Sequence, residues 1–393
     1  MSTALTAATD ALLATYRRAP MELVRGVGVE LFDAEGKAYL DFVAGIAVNA
    51  LGYGDAGLRR AMHEAIEGDL VHVSNLYRTS PGERLAERLV ESSFADRVFF
   101  CNSGAEANEG AFKMARRWAR SHYEPSKHEI IALRGAFHGR LFGTLAATDR
   151  WQYRMPFRPL AGGISITERD LGELDGKLNP ETVAAVIVEP VQGEGGVRVI
   201  DPEFLRSLRA LTAERNVLLI VDEIQCGYGR TGTFWAYEQS GITPDILTTA
   251  KPMAGGLPMG AILMTRAVAD AMQPGDHGTT FGGGPFVASV GLHVFDRLND
   301  PKMLAHVTEN GAWLGASLHA LAARSMKVRA VRGLGYMWGL DITEAAKDVV
   351  ARALDLGLLI CSAGEHTLRL LPPLVATRAD LARGVQLLEQ AIG

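Results

Sequence analysis

Short apolar runs alternate with longer, helix-like segments between residues 97 and 265, and this pattern constrains the fold more than any other feature of the chain. The runs are RVFFC at 97–101, EIIAL at 129–133, AAVIVE at 184–189, VLLIVD at 217–222, DILTTA at 245–250 and GAILMT at 260–265. Largely apolar runs of this length are typical of strands that are buried on both faces.

Two of the intervening segments, 104–122 after Ser103 and 201–216, carry apolar residues every three to four positions and are predicted to be helices. Helices that cross between successive strands produce a mostly parallel sheet. The sequence therefore predicts an α/β fold in which ligands bind beyond the carboxyl ends of the strands.

The two ends of the chain have a different pattern. VELFDAEGKAYLDF at 29–42 alternates around Glu35-Gly36, as in a hairpin. Beyond about residue 286 there are long helical segments, the glycine-rich RGLGYMWGLDI, a short strand near LRLLPPL and a closing helix from Arg378. We expect these parts to form a separate α+β lobe against which the N-terminal segment packs.

The resulting domain prediction is a large domain of residues 51–285 and a small domain built from residues 1–50 and 286–393. The first twenty residues lack a leading basic region and a continuous apolar core, so they predict an amphipathic helix and not a targeting signal. No run of about eighteen apolar residues occurs, and no membrane span is predicted.

Charge and cysteine content narrow the possible partners. The formal net charge of −5 leaves no basic surplus to recruit nucleic acid or anionic lipid. Cys101, Cys226 and Cys361 lie far apart without CxxC spacing, which argues against disulfides and a zinc site. We expect a cytoplasmic protein with no metal site.

A lysine and a carboxylate stand at the ends of two predicted strands. Lys251 follows DILTTA directly, and Asp222 and Glu223 end VLLIVD. A carboxylate at such a buried position needs a cationic or hydrogen-bonding partner. Taken alone, Lys251 is better explained as a surface lysine, and Asp222 equally well as a cap of the next turn.

A turn of small residues, NSGAEAN at 102–108, lies between a predicted strand and a predicted helix. The backbone N–H groups of Gly104 and Ala105, with the Ser103 hydroxyl, can bind an anion at the helix N-terminus. HGTT at 277–280 offers a second, less specific set of donors.

Six motifs occur in the order found in class III aminotransferases, and the chain resembles that family. They are SGAEAN at 103–108, FHGR at 137–140, EPVQGEGG at 189–196, DEIQCGYGRTG at 222–232, AK at 250–251 and HGTTFGG at 277–283. The resemblance extends from DFVAGIAVNALGYG at 41–54 and SNLYRT at 74–79 to LRLLPPL near the end, and so covers almost the whole chain. Within the family it is greatest to the acetylornithine aminotransferases.

The resemblance implies a fold-type I homodimer that binds pyridoxal 5'-phosphate. The large domain would carry a mostly parallel seven-stranded sheet, and the small α+β domain would come from both termini. Lys251 would form the Schiff base with the cofactor and act as the catalytic acid and base, and Asp222 would pair with the pyridine nitrogen. The implied cofactor-binding residues are Ser103, Gly104, Ala105, Phe137, Asp222, Gln225, Lys251 and, from the neighbouring subunit, Thr280.

Two arginines are candidates for the substrate carboxylates, because guanidinium binds carboxylate as a two-pronged fork. By resemblance, Arg140 takes the α-carboxylate of the amino donor and Arg369 that of 2-oxoglutarate. Glu194 is expected to neutralise Arg369 during the donor half-reaction. Ile46 stands where ornithine aminotransferases carry Tyr, which disfavours free ornithine. A structural ion pair is the alternative explanation for each arginine.

The predicted reaction moves the ω-amino group of N2-acetyl-L-ornithine, or a close analogue, to 2-oxoglutarate, giving a semialdehyde and L-glutamate in arginine or lysine biosynthesis. Alternatives are an aminotransferase for 4-aminobutyrate, another ω-amine or a carrier-bound lysine derivative, and a cofactor-binding dimer without activity. No GxGxxG follows a first strand, which excludes a nicotinamide-dependent oxidoreductase.

Some positions depart from the family pattern or receive no catalytic role. Phe281 and Gly284 replace the usual Tyr and Asn, and Pro252 follows Lys251 and should push that lysine out of the right-handed helical region. His138 and Cys226 lie beside motif residues, and both are predicted to serve packing.

Overall fold

The structure, a computed structural model, describes residues 11–393, and a seven-stranded sheet forms its centre. From one edge to the other the strands are Arg97–Cys101, Gly260–Met264, Ile246–Thr249, Leu218–Asp222, Val183–Val188, Glu129–Leu133 and Ile164–Thr167. Gly260–Met264 runs antiparallel to both of its neighbours, and the remaining pairs are parallel. The predicted α/β fold with a mostly parallel seven-stranded sheet is confirmed.

The six apolar runs of the sequence all form strands of this sheet. The inner strand Val183–Val188 is buried along its whole length, as its uninterrupted apolar run predicts. The seventh strand, Ile164–Thr167, was not predicted individually. It lies at the edge and alternates in exposure, so its sequence ISIT lacks the apolar run that marks the inner strands.

Helices cover the central sheet and build the two ends of the chain. Gly104–His122 begins where the Ser103 hydroxyl accepts a hydrogen bond from Glu106 N. The helices are Ala56–Glu67, Ser80–Glu91, Gly104–His122, Phe142–Ala146, Trp151–Arg154, Leu171–Lys177, Pro202–Glu214, Arg266–Ala269, Pro285–Leu298, Pro301–Arg324, Ala346–Asp355 and Arg378–Ile392, with 3-10 helices at Met155–Phe157, Ala236–Ser240 and Lys251–Ala254. Within residues 11–393, none of the helices has the length and hydropathy needed to cross a bilayer.

Strands from the two ends of the chain pair with each other. Leu23–Val27, Glu30–Asp33 and Ala38–Asp41 form an antiparallel meander, and Ala38–Asp41 pairs in parallel with Leu358–Leu359. The predicted hairpin at 29–42 and its packing against the C-terminal part are therefore confirmed. The domain boundaries after residues 50 and 285 stay a prediction.

A second small sheet lies in the C-terminal part. Its order is Val328–Leu334, Met337–Ile342, Thr367–Leu370 and Cys361–Ser362, and all three pairings are antiparallel. The strand near LRLLPPL and the closing helix from Arg378 are present as predicted. A separate two-stranded ribbon joins Val191–Gln192 to Arg198–Val199.

The prediction of an amphipathic helix over the first twenty residues is wrong for residues 11–20, which contain only turns and bends. All of these residues are exposed, so no apolar face is buried, and an isolated short helix is marginal in water. Residues 1–10, the rest of that predicted helix, lie outside the described residues.

A left-handed turn follows the N-terminal meander at Ala44–Ala47. The φ angles of Ala44, Ile46 and Ala47 are 50°, 63° and 65°, in the region that L-residues other than glycine rarely adopt. The carboxylate of Asp41 holds the start of this turn by accepting hydrogen bonds from Val43 N at 2.8 Å and Ala44 N at 3.0 Å.

Candidate active site

A cavity of about 360 Å³ opens where the parallel strands of the central sheet end. The turns after Cys101, Val188, Asp222 and Thr249 all meet there, because the carboxyl ends of parallel strands share one edge of the sheet. The cavity brings together most of the predicted site residues, namely Ser103, Gly104, Ala105, Phe137, Arg140, Glu194, Asp222, Gln225 and Lys251.

Lys251 lies in the same cavity as Asp222 and is largely removed from solvent. Burial lowers the pKa of its amine below the ordinary value, and Asp222 offsets part of this effect. The φ angle of Lys251 is 27°, which agrees with the expectation that Pro252 would push it out of the right-handed region. The amine is thus held in the cavity with a pKa below that of an exposed lysine.

Asp222 is 3% exposed, and three donors fix its carboxylate. Oδ2 accepts from Asn108 Nδ2 at 2.7 Å and from His138 Nδ1 at 2.8 Å, and Oδ1 accepts from Ile224 N at 3.0 Å. Hydrogen bonds to a carboxylate stabilise its charged form and fix its orientation.

Asn108 and His138 were not assigned to the site from the sequence. Asn108 is fully buried on the helix Gly104–His122, where it also donates to His138 O and accepts from Thr248 Oγ1. The packing role predicted for His138 describes it only in part, because its buried ring also forms a hydrogen bond with Asp222. A polar residue inside the apolar stripe of a helix was the signal for Asn108, since a buried amide needs partners.

The helix N-terminus at Ser103 has the geometry of an anion site. No described residue accepts a hydrogen bond from the backbone amides of Gly104 and Ala105, and both residues line the cavity. A Cβ on Gly104 would lie 2.7 Å from Cγ2 of Ile224, so a larger residue does not fit there. The arrangement suits a phosphate, which binds free amides at the positive end of a helix.

Phe137 lines the cavity, and its backbone is fixed by a buried acid. Its amide donates to Oε1 of Glu189 at 2.9 Å, and Gly193 N donates to Oε2 at 3.3 Å. Burial raises the pKa of the Glu189 carboxyl to about 7, with His138 acting in the opposite direction. Glu189 therefore holds the loops that carry Phe137 and Gly193 together.

Arg369 is 1% exposed and pairs with two residues of the cavity wall. Its Nη1 donates to Glu194 Oε1 at 2.6 Å and to Gln225 Oε1 at 3.1 Å. The predicted contact between Glu194 and Arg369 is present in the structure. The loop carrying Glu194 is held from the opposite side, because Arg150 donates to Glu194 O.

Arg140 also lines the cavity and is exposed to solvent. Its guanidinium lies 3.4 Å from the centre of the Tyr153 ring and 5.8 Å from that of Phe137. A guanidinium stacked on aromatic rings keeps its donors free for a carboxylate. Tyr153 was not singled out in the sequence and carries no motif signal.

Three predicted site residues do not line this cavity: Arg369, which contacts its wall through Glu194 and Gln225, and Thr280 and Ile46. Thr280 is exposed and lines a different cavity, of about 490 Å³, with Asn75 and His277. Its predicted contact with the cofactor of the neighbouring subunit stays a prediction. Ile46 is 40% exposed and does not line the cavity, whereas Val48 does.

Two of the three departures from the family pattern, Phe281 and Gly284, lie near Thr280 in the sequence. Phe281 is 66% exposed with its ring 5.3 Å from that of His72, and Gly284 precedes the helix Pro285–Leu298. Cys226 is buried, as its predicted packing role requires.

The fold and the site define a known class of enzyme. The family model described as Aminotransferase class-III matches residues 13–392. The chain belongs to the class III aminotransferases, and the family predicted from the six ordered motifs is confirmed.

Proteins with three different enzyme names resemble this chain. The chain is 44% identical to the mitochondrial acetylornithine aminotransferase of Alnus glutinosa over 98% of its own length and 86% of the relative. It is 41% identical to the succinylornithine transaminase of Yersinia enterocolitica over 97% of its own length and 94% of the relative. A solved ornithine aminotransferase from Toxoplasma gondii, described with PLP at its active site, superposes with a TM-score of 0.93 at 29% identity, covering 98% of this chain and 92% of that one.

Proposed function

We propose that the chain binds pyridoxal phosphate in the cavity beside Lys251. The free amides of Gly104 and Ala105, with the Ser103 hydroxyl, would hold the phosphate. Phe137 would cover the ring, Asp222 would accept from the ring nitrogen and Gln225 would contact the phenolic oxygen. Class III membership and the PLP named for the Toxoplasma structure support this assignment.

The proposed reaction moves the ω-amino group of N2-acetyl-L-ornithine, or a close analogue such as the succinyl derivative, to 2-oxoglutarate. The products are the corresponding semialdehyde and L-glutamate, and the role is in arginine biosynthesis. Relatives named for acetylornithine and for succinylornithine, each more than 40% identical over nearly the whole chain, support an acylated ornithine as donor.

Pyridoxal phosphate, when bound, supplies an electron sink for the bond that is broken at the substrate carbon. The chain itself supplies the proton transfer. Lys251, whose pKa is lowered by burial, can take a proton from that carbon with its uncharged amine and return it later. Asn108 and His138 fix the orientation of the Asp222 carboxylate, which lines the cavity.

The two arginines would handle carboxylates at two distances from the reacting carbon. Arg140 would bind the α-carboxylate of the donor, while Glu194 occupies Arg369 and neutralises it. When 2-oxoglutarate binds, its carboxylate would displace Glu194 and take over Arg369. The observation that carries the proposal is this ion pair, because it stands at the wall of the cavity that holds Lys251.

We further infer a cytoplasmic homodimer in which Thr280 of each chain reaches the phosphate site of the other. Each chain would comprise a large domain, residues 51–285, and a small domain from residues 1–50 and 286–393. Three free cysteines support a reducing compartment. The exposure of Thr280 in a single chain leaves it available to a neighbour.

A panel of amino donors tests the function. Specificity constants with 2-oxoglutarate as acceptor are to be measured for N-acetylornithine, N-succinylornithine, ornithine and 4-aminobutyrate. We expect an acylated ornithine to exceed ornithine and 4-aminobutyrate by at least about tenfold, since the site must recognise or reject one polar group. A higher constant for 4-aminobutyrate would overturn the donor assignment. Absence of turnover with every donor would favour the non-catalytic dimer.

A further inference from the structure

The guanidinium of Arg369 has a third partner that the proposed reaction does not use. Its Nε donates to the sulfur of Cys361 at 3.4 Å, while Nη1 donates to Glu194 and Gln225. No described residue accepts from Nη2 of Arg369. The thiol therefore binds the Nε side of the guanidinium and not the Nη1 nitrogen that pairs with Glu194.

The three partners of Arg369 come from different parts of the fold. Cys361 and Arg369 are directly opposite each other in the antiparallel pairing of Cys361–Ser362 with Thr367–Leu370, so they belong to one rigid sheet. Glu194 and Gln225 lie on loops beyond strands of the central sheet. Displacement of Glu194 by a substrate leaves the contact with Cys361 intact, because that contact is internal to the small sheet.

We propose that Cys361 is a positioning residue that keeps Arg369 aimed at the α-carboxylate of 2-oxoglutarate or glutamate after Glu194 has left. This inference rests on the proposed function and deepens it by naming a determinant of acceptor recognition. Sulfur is a weak acceptor compared with a carboxylate. It fixes the Nε edge and leaves the charge of the guanidinium available to the substrate.

The other two cysteines lack this arrangement. Cys101 and Cys226 are buried, and burial raises the pKa of the Cys101 thiol to about 12 and that of Cys226 well above its usual range. Cys361 is half-buried, and its sulfur faces a guanidinium. The contact is thus specific to position 361 and is not a general feature of the cysteines in this chain.

Steady-state kinetics separates acceptor from donor recognition. In Cys361→Ala, KM for 2-oxoglutarate should rise about threefold to tenfold, the range expected for loss of one hydrogen bond. The value of kcat and KM for the donor should change less than about twofold. Cys361→Ser keeps an acceptor at this position and should restore KM for 2-oxoglutarate. Ser362→Ala, on the exposed neighbour in the same strand, is the matched control.

Binding without turnover supplies a second measurement. Calorimetric titration of the cofactor-loaded enzyme with glutarate, a dicarboxylate that cannot react, should show about threefold to tenfold weaker binding in Cys361→Ala than in the parent or in Cys361→Ser. If Cys361→Ala and the parent bind glutarate with equal affinity while turnover is normal, the role of Cys361 is refuted and the proposed function is unaffected. Failure of the parent to turn over would overturn the proposed function and the inference with it, whereas an active parent that does not bind glutarate would overturn the inference alone.

Discussion

Nδ1 of His138 lies 2.8 Å from Oδ2 of Asp222, and the imidazole side chain is fully buried. Asn108 donates to the same oxygen, so the carboxylate that faces the cavity is held by two side chains from separate elements. Nε2 of His138 has no partner among the described residues. The imidazole of His138 therefore forms its hydrogen bond to Asp222 through Nδ1, and Nε2 takes no part in it.

Replacing His138 by Phe removes one of these donors and keeps a ring of similar size. Both half-reactions depend on Asp222, so kcat/KM for donor and acceptor should fall by a similar factor, about tenfold to a hundredfold for a hydrogen bond to a charged group. His63→Phe, at an exposed histidine of the helix Ala56–Glu67, is the control. A fall confined to one substrate would assign His138 to substrate binding instead.

Lys251→Ala removes the amine that we propose as proton carrier. Turnover should fall by about a hundredfold to ten-thousandfold, because general acid and base catalysis contributes on that scale. Borohydride reduction of the cofactor-loaded parent, followed by peptide mass spectrometry, should place the cofactor mass on the peptide containing Lys251. Lys302→Ala, at an exposed lysine, should retain the parent rate. Label on a different lysine would refute the assignment.

Glu223 predicts a loss of stability with rising pH. Burial raises the pKa of its carboxyl from 4.5 to about 8, although Ala236 N and Tyr237 N both donate to it. Between these values the folded state holds a proton that the unfolded state has lost. Raising the pH through this window therefore lowers the free energy of unfolding, by up to about 1.4 kcal/mol per pH unit for one proton.

The variant Glu223→Gln cannot ionise and should lose this part of the pH dependence. Urea denaturation at pH 6 and pH 8 measures the effect, with the exposed Glu64→Gln as control. The same slope in Glu223→Gln and in the parent would show that another group is responsible.

The left-handed turn at Ala44–Ala47 predicts an unusual response to glycine. Ala47 has a φ of 65°, a conformation that costs about 1–2 kcal/mol for an L-residue and much less for glycine. Ala47→Gly should therefore be at least as stable as the parent in thermal or urea unfolding. Ala115→Gly, within the helix Gly104–His122, should instead lose about 1 kcal/mol. Equal losses in both variants would argue against the left-handed turn.

The sequence predicted the parts of the fold whose signals are local. The strand Val183–Val188 and the helix Gly104–His122 follow from an apolar run and from a helical period after a capping serine. The strand Ile164–Thr167 was missed because an edge strand buries only one face. The exposed segment 11–20 was assigned to a helix because local periodicity does not show whether a packing surface exists.

The candidate site likewise contains residues that the sequence predicts and contacts that it does not. Lys251 and Asp222 were predicted because Lys251 follows one recognisable strand and Asp222 ends another, each within a motif. The contacts of Asp222 with His138, and of Arg369 with Cys361, depend on how distant strands and loops meet. No local pattern of residue types encodes such pairings, so only the three-dimensional structure shows them.

The parallel pairing of Ala38–Asp41 with Leu358–Leu359 has a consequence for biosynthesis. On the ribosome, the N-terminal meander emerges before the central sheet, but its partner strand Leu358–Leu359 is translated only after that sheet. The central sheet can close before Leu358–Leu359 exists, whereas the sheet that contains the meander cannot. Until then, the edge of Ala38–Asp41 that pairs with Leu358–Leu359 stays open to chaperones or to aggregation.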